Sequence, residues 1–98
     1  MELEQLRQLD QIARLGTMSA AAGALHVSQP SLSKSMRRLE RDLGRELFSR
    51  TPNRVELNEA GRVALEHARA ILSQERLLRD DLDALSRRQR TLRVAAVA

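Results

Sequence analysis

The chain contains no cysteine, tryptophan or tyrosine, and Phe48 is its only aromatic residue. Without thiols there is neither a disulfide scaffold nor thiolate chemistry, which fits a reducing compartment. Without stacking rings, a binder of single-stranded nucleic acid or RNA lacks its usual platform, and Phe48 is expected in the core. That core has to be assembled from Leu, Ile, Val, Met and Ala. Histidine is limited to His26 and His67, and no glycine-rich loop is spaced to cradle a phosphate. Hydrolytic, metal and cofactor chemistry therefore have little to stand on, and the chain is not expected to be an enzyme. No apolar run approaches the roughly 20 residues needed to cross a bilayer. Met1 leads straight into the acidic, amphipathic ELEQLRQLD, without the basic and apolar regions of a signal peptide. The expectation is a soluble, cytoplasmic protein with no membrane partner.

What is present is a chain of 98 residues, enough for one small domain or a domain with an appendage. A domain this small buries proportionally little surface and often gains stability from oligomerisation. The formal charge is only +4, but it is unevenly placed. Residues 29–54 hold Lys34, Arg37, Arg38, Arg41, Arg45, Arg50 and Arg54 against Glu40, Asp42 and Glu46. The flanking segments are close to balanced. Such a local cationic excess is the footprint expected for phosphate contact.

Leu3, Leu6, Leu9, Ile12 and Ala13 recur at spacings of three and four, which predicts a helix over 2–15 that ends at Gly16. Ser19 is read as the N-cap of a short second helix reaching Leu25, with Ala22 and Leu25 inward and Gly23 on the exposed face. His26-Val27-Ser28 forms the turn. His26 tolerates a positive φ better than most residues and is a turn residue rather than a ligand or base, while Val27 is expected to plug the core. Ser28 caps a third helix whose first turn holds Gln29 and Pro30. Leu32, Met36, Leu39 and Leu43 mark its buried face, and Gly44 ends it. Leu47–Arg50 and Val55–Leu57 then flank Thr51-Pro52-Asn53-Arg54, a pattern for a small hairpin, or wing.

From Asn58, a cap, a long helix is predicted to about Arg88, roughly 46 Å at 1.5 Å per residue. Ala64, Ala68, Ile71, Leu78, Leu82 and Leu85 follow alternating spacings of four and three, interrupted only by Glu75. A helix of that length cannot fold back over so small a head, so this seam is expected to meet another chain. His67 lies beside it as a surface residue. TLRVAAVA, residues 91–98, reads as a strand without a partner, the start of a further domain. The fold class is mainly α: a winged helix-turn-helix over 1–57, a dimerisation helix over 58–88, and the beginning of an effector-binding domain at 91–98.

Residues 19–43, SAAAGALHVSQPSLSKSMRRLERDL, carry the chemistry. Gln29 has the paired donor and acceptor that match adenine N6 and N7 in a major groove. Pro30 offers an apolar edge to a thymine methyl. Ser31 and Ser33 can bond bases or phosphates, and Lys34 can reach guanine or a phosphate. Arg37 and Arg38 lie farther along, where backbone contacts position a helix without reading sequence.

Residues 1–61 resemble the amino-terminal region of LysR-type transcriptional regulators. VSQPSLS, RRLERDLG, the LF-R pattern and the L-EAG pattern carry that likeness in combination. The resemblance implies a winged helix-turn-helix and a linker helix that pairs antiparallel with its copy. Two recognition helices would then enter successive major grooves of an interrupted palindrome of double-stranded DNA. It implies Gln29, Pro30 and Ser33 as base-contacting residues. Lys34 stands where arginine is common and loses the planar two-pronged donor. Asn53 stands where a wing arginine often enters the minor groove, leaving Arg54 to supply that charge. Asn58 replaces the usual threonine and keeps its capping ability. Residues 91–98 would open a periplasmic-binding-protein-like effector domain for a small molecule, and a tetramer would require that domain. A protein-interaction module is the competing reading. The cations between 29 and 54 argue against it, because a pure dimeriser has no need of them.

Overall fold

Capping chemistry punctuates the chain into six elements: α1 (Leu3–Leu15), α2 (Met18–Leu25), α3 (Gln29–Leu43), β1 (Phe48–Thr51), β2 (Arg54–Leu57) and α4 (Glu59–Val97). They are seen in a computed structural model that describes residues 1–51 and 54–97. The Pro52-Asn53 tip expected for the wing lies outside the described residues. The fold is a winged helix-turn-helix with a long C-terminal helix.

Gly16 adopts the left-handed conformation and donates its N–H to Ile12 O at 2.9 Å, closing α1. The next extended residue is Thr17, not Ser19, and its Oγ1 accepts the Ala20 N–H at 3.1 Å. The cap therefore falls two residues earlier than expected, because the glycine leaves room for only one extended residue before the new helix. His26 takes φ 56°, the only non-glycine residue with positive φ among the described residues. With it there, the Val27 N–H turns back onto Ala22 O at 3.1 Å. Val27 follows this six-to-one closure and is 37% exposed, so it does not plug the core. Ala21, Ala22 and Leu32 fill that space instead.

The core joins Leu6, Leu9 and Ile12 of α1 to Leu32, Met36 and Leu39 of α3, with Leu47, Phe48 and, from α4, Ala68. Leu43, at the last turn of α3, stays 42% exposed and leaves the buried face that its spacing predicted. The wing pairs antiparallel with Phe48 opposite Leu57 and Thr51 opposite Arg54. Phe48 is buried while Ser49 and Glu56 face outward, the alternation of a one-sided hairpin.

Asn58 does more than cap. Its Oδ1 accepts the Gly61 N–H at 2.8 Å, its Nδ2 donates to Glu46 O at 2.9 Å, and its backbone N–H donates to Leu47 O at 3.0 Å. One residue thus starts α4 and closes the base of the wing. From there α4 crosses α1 and leaves the head, giving the molecule extents of 67 × 25 × 19 Å. Residues 91–97 continue this helix and do not form a strand. Among the described residues no strand lies beside them to share backbone hydrogen bonds, and no Gly or Pro stops the helix, so the helical pattern satisfies those groups locally. Among the described residues, no helix is long and apolar enough to cross a membrane.

Candidate nucleic-acid interface

The exposed face of α3 is built from its cap outward. Ser28 Oγ accepts the Ser31 N–H at 3.1 Å and donates to Ser31 Oγ at 2.8 Å, which fixes the first turn. Gln29, Pro30 and Ser31 stand exposed on that turn, with Pro30 where a helix has no use for a backbone donor. Ser33 is half-buried and accepts a hydrogen bond from Arg37 Nη2 at 3.1 Å. Its side chain therefore serves partly to hold Arg37.

Pro30, Lys34, Arg37 and Arg41 follow one another at helical spacing along one side of an open groove of about 1290 Å³. Arg45, Ser49 and Asn58 line its other parts, joining α3 to the base of the wing, and the acids Glu40 and Glu46 line it too, fewer than its four cations. Arg38 is exposed but does not line the groove, and Arg54 stands exposed on β2 with Nε 3.8 Å from Glu56. Asn53 lies outside the described residues. Arg41 and Arg45 were not singled out from sequence. The signal was available, since Arg41 falls one turn beyond Arg37 on the same face.

The cations of α3 and the turn after it differ from those elsewhere. Lys34, Arg37, Arg38, Arg41 and Arg45 form no ion pair among the described residues, whereas Arg7, Arg14, Arg69 and Arg79 each meet a carboxylate. The acids of α3 are engaged. Glu40 is buried and accepts the Leu47 N–H at 2.8 Å, and Asp42 meets the Met1 ammonium at 2.8 Å. That hydrogen bond and the Asp42 charge hold the ammonium above its ordinary pKa. Positive potential on the groove side of α3 is therefore left for an outside anion.

The depth at which α3 sits is set from behind. Gln8 is buried on α1 and accepts a short hydrogen bond from Ser35 Oγ, while Gln5 Nε2 reaches Ser35 O at 3.5 Å. These contacts went unread in the sequence, because a glutamine on α1 and a serine on α3 look like surface residues until the helices cross.

The predicted seam of α4 divides. Ala68 is 1% exposed, packs into the head of its own chain and lies at the floor of an apolar groove. Glu75 also turns to the head, where it meets Arg7 at 3.3 Å and Arg79 at 2.8 Å. Ala64 is half-buried, and Ile71, Leu78, Leu82 and Leu85 remain exposed along the outward stripe. That stripe begins at an apolar groove of about 530 Å³ lined by Leu9, Leu39, Leu43, Val63, Ala64 and Ile71, among others. Among the described residues, no group of His, Asp and Glu is placed to hold a metal ion.

Residues 3–62 match the family model described as bacterial regulatory helix-turn-helix protein, lysR family. The chain is 44% identical over 73 residues to the HTH-type transcriptional regulator TfdT of Cupriavidus pinatubonensis, covering 74% of this chain and 32% of that protein. It is 43% identical over 84 residues to the SDS degradation transcriptional activation protein of a Pseudomonas species, covering 86% and 28% respectively. The chain thus spans about a third or less of the length of these relatives. Among solved structures, the CbnR DNA-binding domain in complex with DNA matches with a TM-score of 0.84 at 42% identity, covering 88% of this chain and 99% of that one. The BenM DNA-binding domain bound to catB site 1 DNA matches with a TM-score of 0.84 at 27% identity, covering 88% and 97%.

Proposed function

The chain belongs to the LysR family of bacterial regulatory helix-turn-helix proteins, and we propose that it is the part of a transcriptional regulator that binds double-stranded DNA by sequence. In this reading α3 enters a major groove, with Gln29, Pro30, Ser31, Ser33 and Lys34 toward the bases. Arg37, Arg38, Arg41 and Arg45 meet phosphates, and the wing, with Arg54 and Asn53, approaches the adjacent minor groove. The observation that carries it is the cationic excess of the groove running from the exposed first turn of α3 to the wing base, where Lys34, Arg37, Arg41 and Arg45 outnumber Glu40 and Glu46. A sequence-reading helix needs polar groups at its tip and uncompensated cations behind them, and this arrangement has both. Work of this kind belongs in the cytoplasm, where the chromosome is. A small-molecule effector site, implied by the resemblance, would fall to residues beyond these 98.

Two copies would join through α4. The stripe of Ile71, Leu78, Leu82 and Leu85 leaves the head exposed, with no partner among the described residues of its own chain, and the apolar groove at its root gives a second copy a place to seat. Twofold pairing presents two α3 helices to two half-sites of a palindrome.

Unbiased selection of duplexes bound by the chain tests the reading. On the winning duplex, Gln29→Ala is expected to relax discrimination at one base pair by about 1–3 kcal/mol, the cost of one bidentate contact. Equal loss on selected and random DNA would remove Gln29 from base reading. Leu78→Glu is expected to shift sedimentation from dimer to monomer, and an unchanged dimer would move the interface off this stripe.

A further inference from the structure

Two groups of ion pairs bridge the crossing of α1 and α4. Asp10 accepts from Arg69 on α4 at 2.8 Å and from Arg14 on its own helix at 3.0 Å, with its side chain only 15% exposed. Glu75 on α4 is 17% exposed and bridges Arg79 and Arg7, and Arg7 reaches on to Glu4 at 3.4 Å. Burial raises the Asp10 carboxyl, but hydrogen bonds from Arg69 and Arg14 outweigh it and hold the group below the ordinary carboxylate range. The hydrogen bond from Arg79 does the same for Glu75.

The order of charges makes these contacts selective. α1 presents a cation at Arg7 and an anion at Asp10, and α4 answers with an anion at Glu75 and a cation at Arg69. Sliding α4 one turn in one direction would set Arg79 against Arg7. Sliding it the other way would set Ile71 against Arg7 and Leu65 against Asp10. Pairs of this kind, whose arginines stay half exposed to solvent, contribute little net stability. The wrong register, however, carries like-charge repulsion or an unpaired carboxylate, so the pairs discriminate between registers.

Position along the helix turns this into a reading of distance. Beyond Glu75, α4 runs a further 22 residues to Val97, and no hydrogen bond or ion pair ties that stretch to the head among the described residues. At 1.5 Å per residue this lever is about 33 Å long, so a tilt of about 6° at the joint moves its far end by about 3.5 Å. That is about one base-pair rise of 3.4 Å. One added base pair also rotates a half-site by about 34° around the duplex. We propose that the Asp10–Arg69 and Arg7–Glu75 pairs fix the angle between the DNA-reading head and α4, and thereby set which half-site spacing the dimer accepts. They are positioning residues for spacing, not for base identity. The inference rests on the reading of the chain as a dimeric DNA binder.

The test uses the duplex won in selection, with one base pair inserted or removed between half-sites, and a duplex carrying a single half-site. The unsubstituted chain is expected to lose about tenfold in affinity on either altered spacing, and Asp10→Asn/Glu75→Gln about threefold or less. Affinity for the single half-site should be the same for both proteins. Reversing one pair, as Asp10→Arg with Arg69→Asp, should recover the spacing preference in a way that either change alone does not. A double variant with an unaltered spacing profile overturns the proposal while leaving the dimer reading intact. A double variant that sediments as a monomer also overturns it, by moving these residues into the interface. An unsubstituted chain indifferent to spacing overturns the proposal, and only if it also sediments as a monomer does it overturn the dimer reading.

Discussion

Gly61→Ala is a one-methyl change whose sign the structure decides. Gly61 is buried in the first turn of α4, and a Cβ built there would lie 2.1 Å from Leu47 O, 2.8 Å from Leu57 Cδ2 and 3.1 Å from the Leu47 carbonyl carbon. Leu47 O already accepts the Asn58 N–H at 3.0 Å. The leucine side chain can give way, but the carbonyl can move only by spoiling the closure of the wing. Helix propensity works in the opposite direction, favouring alanine by up to about 1 kcal/mol. Overpacking of about 1–3 kcal/mol and a lost hydrogen bond of about 1 kcal/mol exceed it. A net loss of about 2 kcal/mol corresponds to roughly 8–16 °C in the unfolding midpoint of a domain this size. Gly23→Ala is the control. That glycine is exposed inside α2 and its Cβ would meet nothing within 4 Å, so the substitution should stabilise by about 0.5–1 kcal/mol. Thermal unfolding followed by circular dichroism reads both. If Gly61→Ala melted at or above the unsubstituted chain, the close approach of α4 to the wing would be wrong.

Two further outcomes are expected. Arg41→Ala should weaken selected and random duplexes alike and flatten the dependence of log affinity on log salt by about 0.9, one phosphate's worth; a loss confined to the selected duplex would make Arg41 a base reader. The second concerns acid. The folded-state pKa of Asp10 is lowered, so its contribution is complete above its unfolded value of about 3.9 and is lost as the pH falls through the folded value. The unsubstituted chain should therefore melt above Asp10→Asn at pH 6, with the gap closing on acidification to about pH 3, and a gap constant across that range would contradict the pairing with Arg69 and Arg14.

The head was legible because its punctuation is local chemistry. Gly16, His26, Ser28, Gly44 and Asn58 end or begin helices through their own backbone preferences or side-chain oxygens, and each does so in the structure. The tip of α3 was legible for the same reason, since Gln29 and Pro30 are exposed by their place in a first turn. Failures came where a neighbour decides. Val27 is apolar and sits between two helices, yet Ala21, Ala22 and Leu32 take the core positions there and it stays exposed. Leu43 keeps the correct spacing but stands beyond the packed part of α3. Residues 91–97 have the composition of a strand, and a strand exists only where another backbone receives its hydrogen bonds. Gln8 with Ser35, and Asp10 with Arg69, are ordinary polar residues until two helices cross.

The seam of α4 shows how a repeat divides when part of it packs on the head of its own chain. A repeat of four and three was read as a single stripe with Glu75 as its flaw. At 100° per residue, Ala68 and Glu75 lie toward one edge of that stripe while Leu78 and Leu85 lie toward the other. The head occupies the first edge, burying Ala68 and pairing Glu75 with Arg7, and leaves the second bare. Glu75 therefore lies about 20° from Leu82 but about 60–80° from Leu78 and Leu85, toward the edge that the head covers. It follows that charge is tolerated at 75 because Arg7 and Arg79 receive it, whereas the same charge at Leu78 has no cation on the head to meet. A polar residue within an apolar repeat can thus mark where a helix changes partner.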